Sequence, residues 1–559
     1  MKTFDEILQH VGEFGTYQKR IFFFLCLPSV VTSFLTFSSI FTMYIPPHRC
    51  AVPGLSKDTY AIQGDNHRRL VNLTIPIKDG AYSKCDVYTD DVTDLAKRAD
   101  NSSQSQCSEW VYDKSMFTST ITEDLSLVCD NVVMRSHSNM AVMAGMLVGS
   151  FGQSIISDMF GRKKACMIFL FMLICVGFLN YVIRDFASLI IIRFLTGCGT
   201  TSVGIACYVM AMELVAPAKR VYTGMGGLFL WMLGMLLMSG VAYFLRDWHN
   251  YVLALAGPSV FFLSYWWIVP ESPRWLMSKG RFEEAEVIIR KFAKVNKTTL
   301  PEDMFDGKCV EETDTPKGKL SELLTNRTLA IRCLIINFHW AVCSLIYYGL
   351  TLNVTNLSGN VIINFVLSGL VEAVGYVLTL FLLNRLGRKW LHCSFLLGGG
   401  LACLATIFPV LYAAEDSKWT LVVLSLGGKM GAAGAFSTLY IFTVELYPTP
   451  VRNTAVGVGS MCSRIGGIIS PYIADLSMLV KGEFGEALPL MVFGGAAVSA
   501  GVLTFFLPET LNQDLPETIE DAKNLGRSGS KCASNGYNMR RSLDGQDNDV
   551  FTLSMTSKD

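Results

Sequence analysis

Charge is scarce in this chain. Asp, Glu, Lys and Arg supply 17% of its 559 residues, against about a quarter in soluble domains. A water-soluble protein of this length could not cover its surface with so little. The 47 basic and 47 acidic residues cancel, but that balance carries no message because the charges gather in loops; no nucleic-acid partner is expected. Catalytic phrases are missing too. No glycine loop followed by Lys and Ser or Thr is present to hold a nucleoside triphosphate, which argues against ATP-driven pumping. No HExxH, CxxC or GxSxG phrase occurs. The seven histidines lack ligand spacing, so no enzyme, metal centre or cofactor is expected. A cleavable signal peptide is not expected either, since 1–20 is polar and the apolar run from Ile21 is too long for one.

Apolar length is what the chain has. Hydrophobic residues make up 51% of it. Twelve runs are long enough to cross the hydrocarbon core: 21–44, 139–160, 166–184, 187–212, 222–244, 251–269, 331–352, 360–383, 390–412, 419–443, 453–475 and 487–507. The loops after the second, fourth, eighth and tenth runs carry Arg162, Lys163, Lys164, Lys219, Arg220, Arg385, Arg388, Lys389 and Arg452. Short basic loops lie on the cytoplasmic side, which predicts a multi-pass plasma-membrane protein with both termini inside.

A charged phrase is written twice. DMFGRKK at 158–164 returns as NRLGRK at 384–389, ELVAPAKR at 213–220 as ELYPTPVR at 445–452, and PES at 270–272 as PET at 508–510. Three matched signatures in the same order imply two homologous halves packed as a pair, the plan of many secondary transporters. The expected fold is therefore all-α, with twelve membrane helices in two pseudo-symmetric six-helix bundles. The expected segments are a cytoplasmic start (1–20), a first bundle (21–269), an inter-bundle loop (270–330), a second bundle (331–508) and a tail (509–559).

Two loops are long. The first, 45–138, is expected outside the cell and holds Cys50, Cys85, Cys107 and Cys129 with glycosylation sequons at Asn72 and Asn101. Four cysteines in an oxidising compartment suggest two disulfides, with three pairings open. The other cysteines fall mostly inside helices and read as small apolar packers. The second long loop carries GRFEEAEVIIRK at 280–291, an amphipathic helix pattern. Sequons at Asn296 and Asn326 fall on the inner side and are expected to stay bare, and the tail after Leu511 is expected to be disordered. A mechanical use suggests itself for the repeated charges. If Asp158, Arg162, Glu213 and Arg220 meet Arg388, Glu445 and Arg452 across the seam between halves, they form a cytoplasmic latch, made in one orientation of a rocking carrier and broken in the other. Lipid anchoring and topology alone would not require matched Glu-to-Arg spacing.

With RFLTG at 193–197, PESPRWL at 270–276, GRFEEAEVIIRK at 280–291 and ELYPTPVRN at 445–453 on the page, the chain resembles the major facilitator superfamily over residues 4–520. More narrowly it is similar to the organic ion transporter family (solute carrier family 22), whose cysteine-bearing first outer loop it shares. The 280–291 segment and SRIGGIISPY at 463–472 look closest to the carnitine and organic cation (novel type) branch. Met159 and Ser154 depart from that family's first charged loop, where arginine and glycine are usual.

Charges at mid-membrane depth point to the substrate, because each costs several kcal/mol unless paired or wet. Arg464 lies near the centre of the eleventh run beside Gly466 and Gly467, Glu372 in the eighth and Lys429 in the tenth. The resemblance implies that a basic residue at position 464 goes with organic anions or zwitterions, so Arg464 is expected to hold a substrate carboxylate. Glu372 would then serve the cationic end of a zwitterion such as carnitine. Tyr347, Tyr348, Phe436, Tyr440, Trp231 and Trp340 are candidates for a quaternary-ammonium cage. Competing readings are that the aromatics only pack, that Arg464 is a structural partner of Glu372, and that Lys429, set among glycines, serves helix packing or gating. His339 is a polar wall candidate at best. The expectation is a plasma-membrane carrier of carnitine-like zwitterions working by alternating access, with sodium or proton coupling left open. An organic anion exchanger, a cation facilitator and a non-transporting sensor are the alternatives. Expected partners are a small organic ion, the lipid bilayer and scaffold proteins at the tail.

Overall fold

A computed structural model describes residues 4–12, 14–55, 57–78, 80–89, 103–215, 220–299, 326–412, 419–448, 450–480, 483–513 and 515–525. Twelve long helices follow one another among them: α1 (Thr16–Thr42), α2 (Val133–Phe160), α3 (Arg162–Leu179), α4 (Phe186–Glu213), α5 (Arg220–Phe244), α6 (Trp248–Ile268), α7 (Arg327–Asn353), α8 (Val361–Leu386), α9 (Arg388–Ala405), α10 (Trp419–Leu446), α11 (Arg452–Ala474) and α12 (Glu483–Leu503). Eleven are both long and apolar enough to cross a membrane. The remaining one, α11, has the length but is rich in Ser and Gly and carries Arg464. It is the polar helix of the set.

Local chemistry sets the breaks. Pro28 removes a donor inside α1, which divides there into shorter helical pieces. Gly257 and Pro258 turn the middle of α6 into a 3₁₀ stretch. Between α2 and α3, and again between α8 and α9, the chain turns on Gly161 and Gly387 at φ +105° and +89°. Only glycine enters that region without strain. A Cβ at either position would also run into a carboxylate, of Glu271 or Glu509, at 2.5 Å. The helix α2 begins six residues before the predicted 139, because its first turn holds the polar Arg135, Ser136 and His137.

The two halves touch along α2 with α11 and α5 with α8. On the first pair the contacts run from Arg135 with Asp475 down to Arg464 with Met146. On the second they include Phe229 against Tyr376, ring centroids 6.1 Å apart. The Arg135 contact lies at the face that bears the disulfide loop, whereas Met146, Arg464, Phe229 and Tyr376 lie along the middle of their helices. Towards the opposite face, which carries the repeated charges, no ion pair joins the halves among the described residues.

The disulfide loop pairs Cys50 with Cys107 and Cys85 with Cys129. Three two-stranded antiparallel ribbons and a helix, Asp65–Thr74, fill it. Inside it the buried Arg49 grips Asp58 with two hydrogen bonds, at 2.5 and 3.0 Å, and His67 reaches the same carboxylate at 2.9 Å. Burial would raise the Asp58 carboxyl, but the hydrogen bonds and charge of Arg49 outweigh it and hold its pKa below the ordinary value. Asn72 sits on the loop helix with its carboxamide oxygen accepting from Tyr82 Oη at 2.7 Å; Asn101 lies outside the described residues.

At the charged face, the amphipathic segment forms a helix, Phe282–Asn296, burying Ala285, Ile289, Phe292 and Ala293. Its last residue, Asn296, accepts from the Tyr17 amide at 2.9 Å and donates to Val11 O and Gln18 Oε1 at 3.1 and 2.7 Å. The N-terminal segment is thereby tied to the inter-bundle helix. Asn326 caps α7 by accepting from the Thr328 amide. The start of the tail departs from expectation, and 526–559 lie outside the described residues. Residues Ile519–Asn524 form a capped helix, and Arg332 donates to the carbonyls of Ala522 and Leu525 at 2.6 and 3.0 Å. Buried Ala522 and Leu525 give this short piece an apolar anchor that its polar neighbours hid.

Candidate functional site

Helical spacing gathers the candidate residues. Trp340 and Tyr347 are two turns apart on α7, as are Lys429 and Phe436 on α10 with Tyr440 one turn further, and Glu372 and Tyr376 are one turn apart on α8. Their side chains meet inside the second bundle and face α1 and α5 of the first. Glu372 is fully buried. Its Oε1 accepts from Tyr347 Oη at 2.8 Å and Tyr376 Oη at 2.6 Å. Its Oε2 lies 3.3 Å from Lys429 Nζ and accepts no hydrogen bond. Lys429, buried as deeply, donates to Thr351 Oγ1 and to Tyr347 O at 3.3 Å. Its ammonium also stands 3.5 Å from the centroid of the Tyr347 ring. A buried pair survives only when both ions keep good partners, and these two do.

Around this pair the rings form one continuous network. Tyr347 stacks on Phe436 at 6.0 Å and meets Tyr348 edge-on at 5.2 Å; Phe436 meets Tyr440 at 5.7 Å, and Trp340 meets Tyr440 at 4.5 Å. From the first half, Trp231 Nε1 donates to Tyr347 Oη at 3.0 Å, and Phe37 lies between Trp231 and Tyr348 at 5.7 and 6.2 Å. Trp340 itself is fully buried, with its Nε1 donating to Thr443 Oγ1 at 3.1 Å.

Arg464 is not the partner of Glu372; Lys429 holds that place. The Arg464 guanidinium is half-buried; its one hydrogen bond among the described residues is a weak donation from Nη1 to Met146 Sδ at 3.6 Å, and its Nε is buried without a hydrogen bond. Gly466 lies against the α7 backbone at Ala341, and Gly467 against Met143 of the first half. The absence of side chains at these two positions lets α11 approach both neighbours closely. His339 is buried away from the aromatic network, bonded to Ile335 O at 2.5 Å and Thr504 Oγ1 at 2.9 Å.

The charged repeats close within each half in this structure. Arg162 reaches Asp158 at 2.6 Å and Glu213 at 3.3 Å. Arg388 reaches Glu445 at 2.9 Å. Glu271 accepts the Lys163 amide at 3.0 Å, and Glu509 accepts the amides of Arg388 and Lys389 at 2.9 and 3.2 Å, so the third repeated signature caps the helix that follows the first. Arg452 donates to Tyr447 O and Pro516 O. The side chain of Arg220 lies outside the described residues.

Sequence reasoning missed two groups. Arg193, 3% exposed, donates to Asn139 Oδ1 at 3.0 Å and Ser38 Oγ at 3.3 Å, with no carboxylate in ion-pair reach among the described residues. The signal was present as a cation inside the fourth apolar run. The other group is the cluster around Arg135 and Asp475, which sat at the margins of predicted runs and gave no mid-membrane charge to notice.

A family model described as sugar (and other) transporter matches residues 96–521. The chain is 37% identical over 542 residues to the organic cation transporter protein of Drosophila melanogaster, covering 94% of this chain and 95% of that one. It is 33% identical over 561 residues to organic cation/carnitine transporter 2 of Homo sapiens, covering 98% of each. Among solved structures, the proton:xylose symporter XylE bound to 6-bromo-6-deoxy-D-glucose has a TM-score of 0.59 at 15% identity, over 90% of this chain and 98% of that one. That likeness is one of fold alone.

Proposed function

The chain belongs to the sugar (and other) transporter family of the major facilitator superfamily, on its organic ion transporter branch, and we propose that it carries a carnitine-like zwitterion. It is a multi-pass plasma-membrane transporter of small organic ions. Our reading has both termini and the charged repeats in the cytoplasm, the disulfide loop outside, and scaffold proteins as partners of the tail. The observation that carries the substrate class is Arg464: a half-buried guanidinium with no carboxylate in reach among the described residues, bordering an aromatic network. A substrate carboxylate would complete its fork. The rings of Tyr348, Phe436, Tyr440 and Trp231 offer π faces to a quaternary ammonium, each contributing about 0.5–2 kcal/mol. Glu372 lends negative charge through Oε2 while Lys429 keeps the pair neutral overall.

That neutrality favours a second reading. With Glu372 already balanced by Lys429, the site carries the net positive charge of Arg464, which suits an organic anion and leaves Glu372 structural. Uptake of labelled carnitine, a simple quaternary cation and a simple organic anion, each with and without external sodium, separates the two. Saturable carnitine uptake supports the zwitterion reading, and entry of the anion alone overturns it. Ligand binding without flux would favour a sensor. For gating we retain the latch of Asp158, Arg162, Glu213 and Arg220 against Arg388, Glu445 and Arg452, parted when the cytoplasmic side is open.

A further inference from the structure

At the face bearing the disulfide loop, three consecutive residues of α2 reach across the seam. Arg135 Nη2 donates to Asp475 Oδ1 at 2.7 Å, and Ser136 Oγ to Asp475 Oδ2 at 2.6 Å. His137 Nδ1 lies 2.7 Å from Tyr472 Oη. Arg135 Nη2 also donates to Thr355 Oγ1 at 3.1 Å, just beyond α7. Each contact joins the first half to the second. Both oxygens of Asp475, a residue at the end of α11, are filled from the other half. The Arg135 and Asp475 side chains are each 5% exposed, and theirs is the one buried ion pair that crosses the seam among the described residues. Eleven residues of α2 separate Arg135 from Met146, which touches Arg464, so the cluster stands about 16 Å above the central cation.

Resting on the alternating-access reading above, we propose that the Arg135–Asp475 pair, with Ser136, Thr355 and the His137–Tyr472 contact, is the outer gate, closed here and broken when the halves rock apart. Its chemistry suits a reversible closure. While the seam is shut, the two ions sit in low dielectric and attract strongly. Once it parts, both charges enter water together and neither is left buried and alone, so opening avoids the penalty that removing one partner would incur. Arg135 Nη1 is buried without a partner, and entering water satisfies that donor too.

The test places a cysteine beneath the gate by Met143→Cys and measures labelling in intact cells by a membrane-impermeant maleimide, with the parent chain as background. Asp475→Asn or Arg135→Gln should raise the labelling rate about tenfold, the change that about 1.4 kcal/mol produces. The exchange Arg135→Asp with Asp475→Arg should bring it back towards the parent value. Unchanged labelling in both single variants, with surface protein intact, would overturn the gate. A second arm guards against misfolded variants: Ser136→Cys with Asp475→Cys, oxidised to a disulfide on the cell surface. Cross-linking should stop uptake and a reductant should restore it; uptake that continues through the cross-link refutes the proposal. Labelling needs no substrate. A chain that labels as expected but takes up no carnitine therefore defeats the substrate reading alone, and one that carries carnitine with unchanged labelling defeats the gate alone.

Discussion

The two charged clusters descend from one repeat but are not equally complete. In the second half, Arg388 gives Nε and Nη2 to one oxygen of Glu445 at 3.0 and 2.9 Å, and Thr510 fills the other at 2.6 Å. Asn384, at 3.2 Å, stands where the first half has Asp158. In the first half Arg162 divides itself between Asp158 and Glu213, Glu213 Oε2 is buried without a partner, and Asp158 is 72% exposed. One cluster is closed upon itself; the other keeps spare acceptors. A duplicated scaffold can thus hold its helices with one copy and leave the other free to exchange partners.

Two cations within the membrane helices repeat the contrast, and there the largest effect is expected. Arg193 of the first half is held by Asn139 and Ser38, whereas Arg464 of the second has, among the described residues, only a weak contact to Met146. Arg464→Ala should lower apparent affinity for a carboxylate-bearing substrate by about 10- to 100-fold, the worth of a charge-assisted contact, with surface protein unchanged. Arg193→Ala should act chiefly by reducing folded protein at the surface. Uptake kinetics beside surface biotinylation check both, and equal uptake by Arg464→Ala and the parent would remove that residue from the site.

Next in size come the two glutamates. Glu445→Gln should cost about 2 kcal/mol and lower the melting temperature in detergent, while Glu213→Gln should cost less because Asp158 still holds Arg162. A reversal of that order would mean that the first cluster is not the looser one. Exchanging the copies sharpens the point: Asp158→Asn should slow turnover about fivefold if its spare charge serves a partner across the seam, and Asn384→Asp should leave turnover nearly unchanged. Equal slowing by both would dismiss the asymmetry.

The smallest effect belongs to the disulfide loop, which only the first half carries. Asp58 has its pKa depressed by Arg49, so the pair stabilises the loop at neutral pH. That stabilisation is lost as pH falls below the ordinary carboxylate range and through the depressed value. Pepsin cleavage of the loop should therefore rise towards the acid end in the parent chain, and Asp58→Asn should be cut readily throughout. Identical cleavage at every pH would show that the pair does not hold the loop.

Much of this was legible in one dimension. Apolar length found eleven helices long and apolar enough to span, with the run at 453–475 falling on the more polar α11, and the twice-written phrases pointed to two halves, because both are local properties of the chain. Partners were not legible. Glu372, Lys429 and Arg464 could be named as buried charges, but their pairing depends on how α8, α10 and α11 rotate against one another. Arg135 and Asp475 are 340 positions apart, and nothing in either neighbourhood announces the other. Four cysteines allowed three pairings until the ribbons set Cys50 beside Cys107.

The grip of Arg332 on the carbonyls of Ala522 and Leu525 bears on how this protein should be handled at the bench. A truncation for expression placed after Leu511, where the sequence turns polar, would discard a docked helix and expose the start of α7. A cut or tag placed beyond Leu525 would keep that helix and the grip of Arg332 on it.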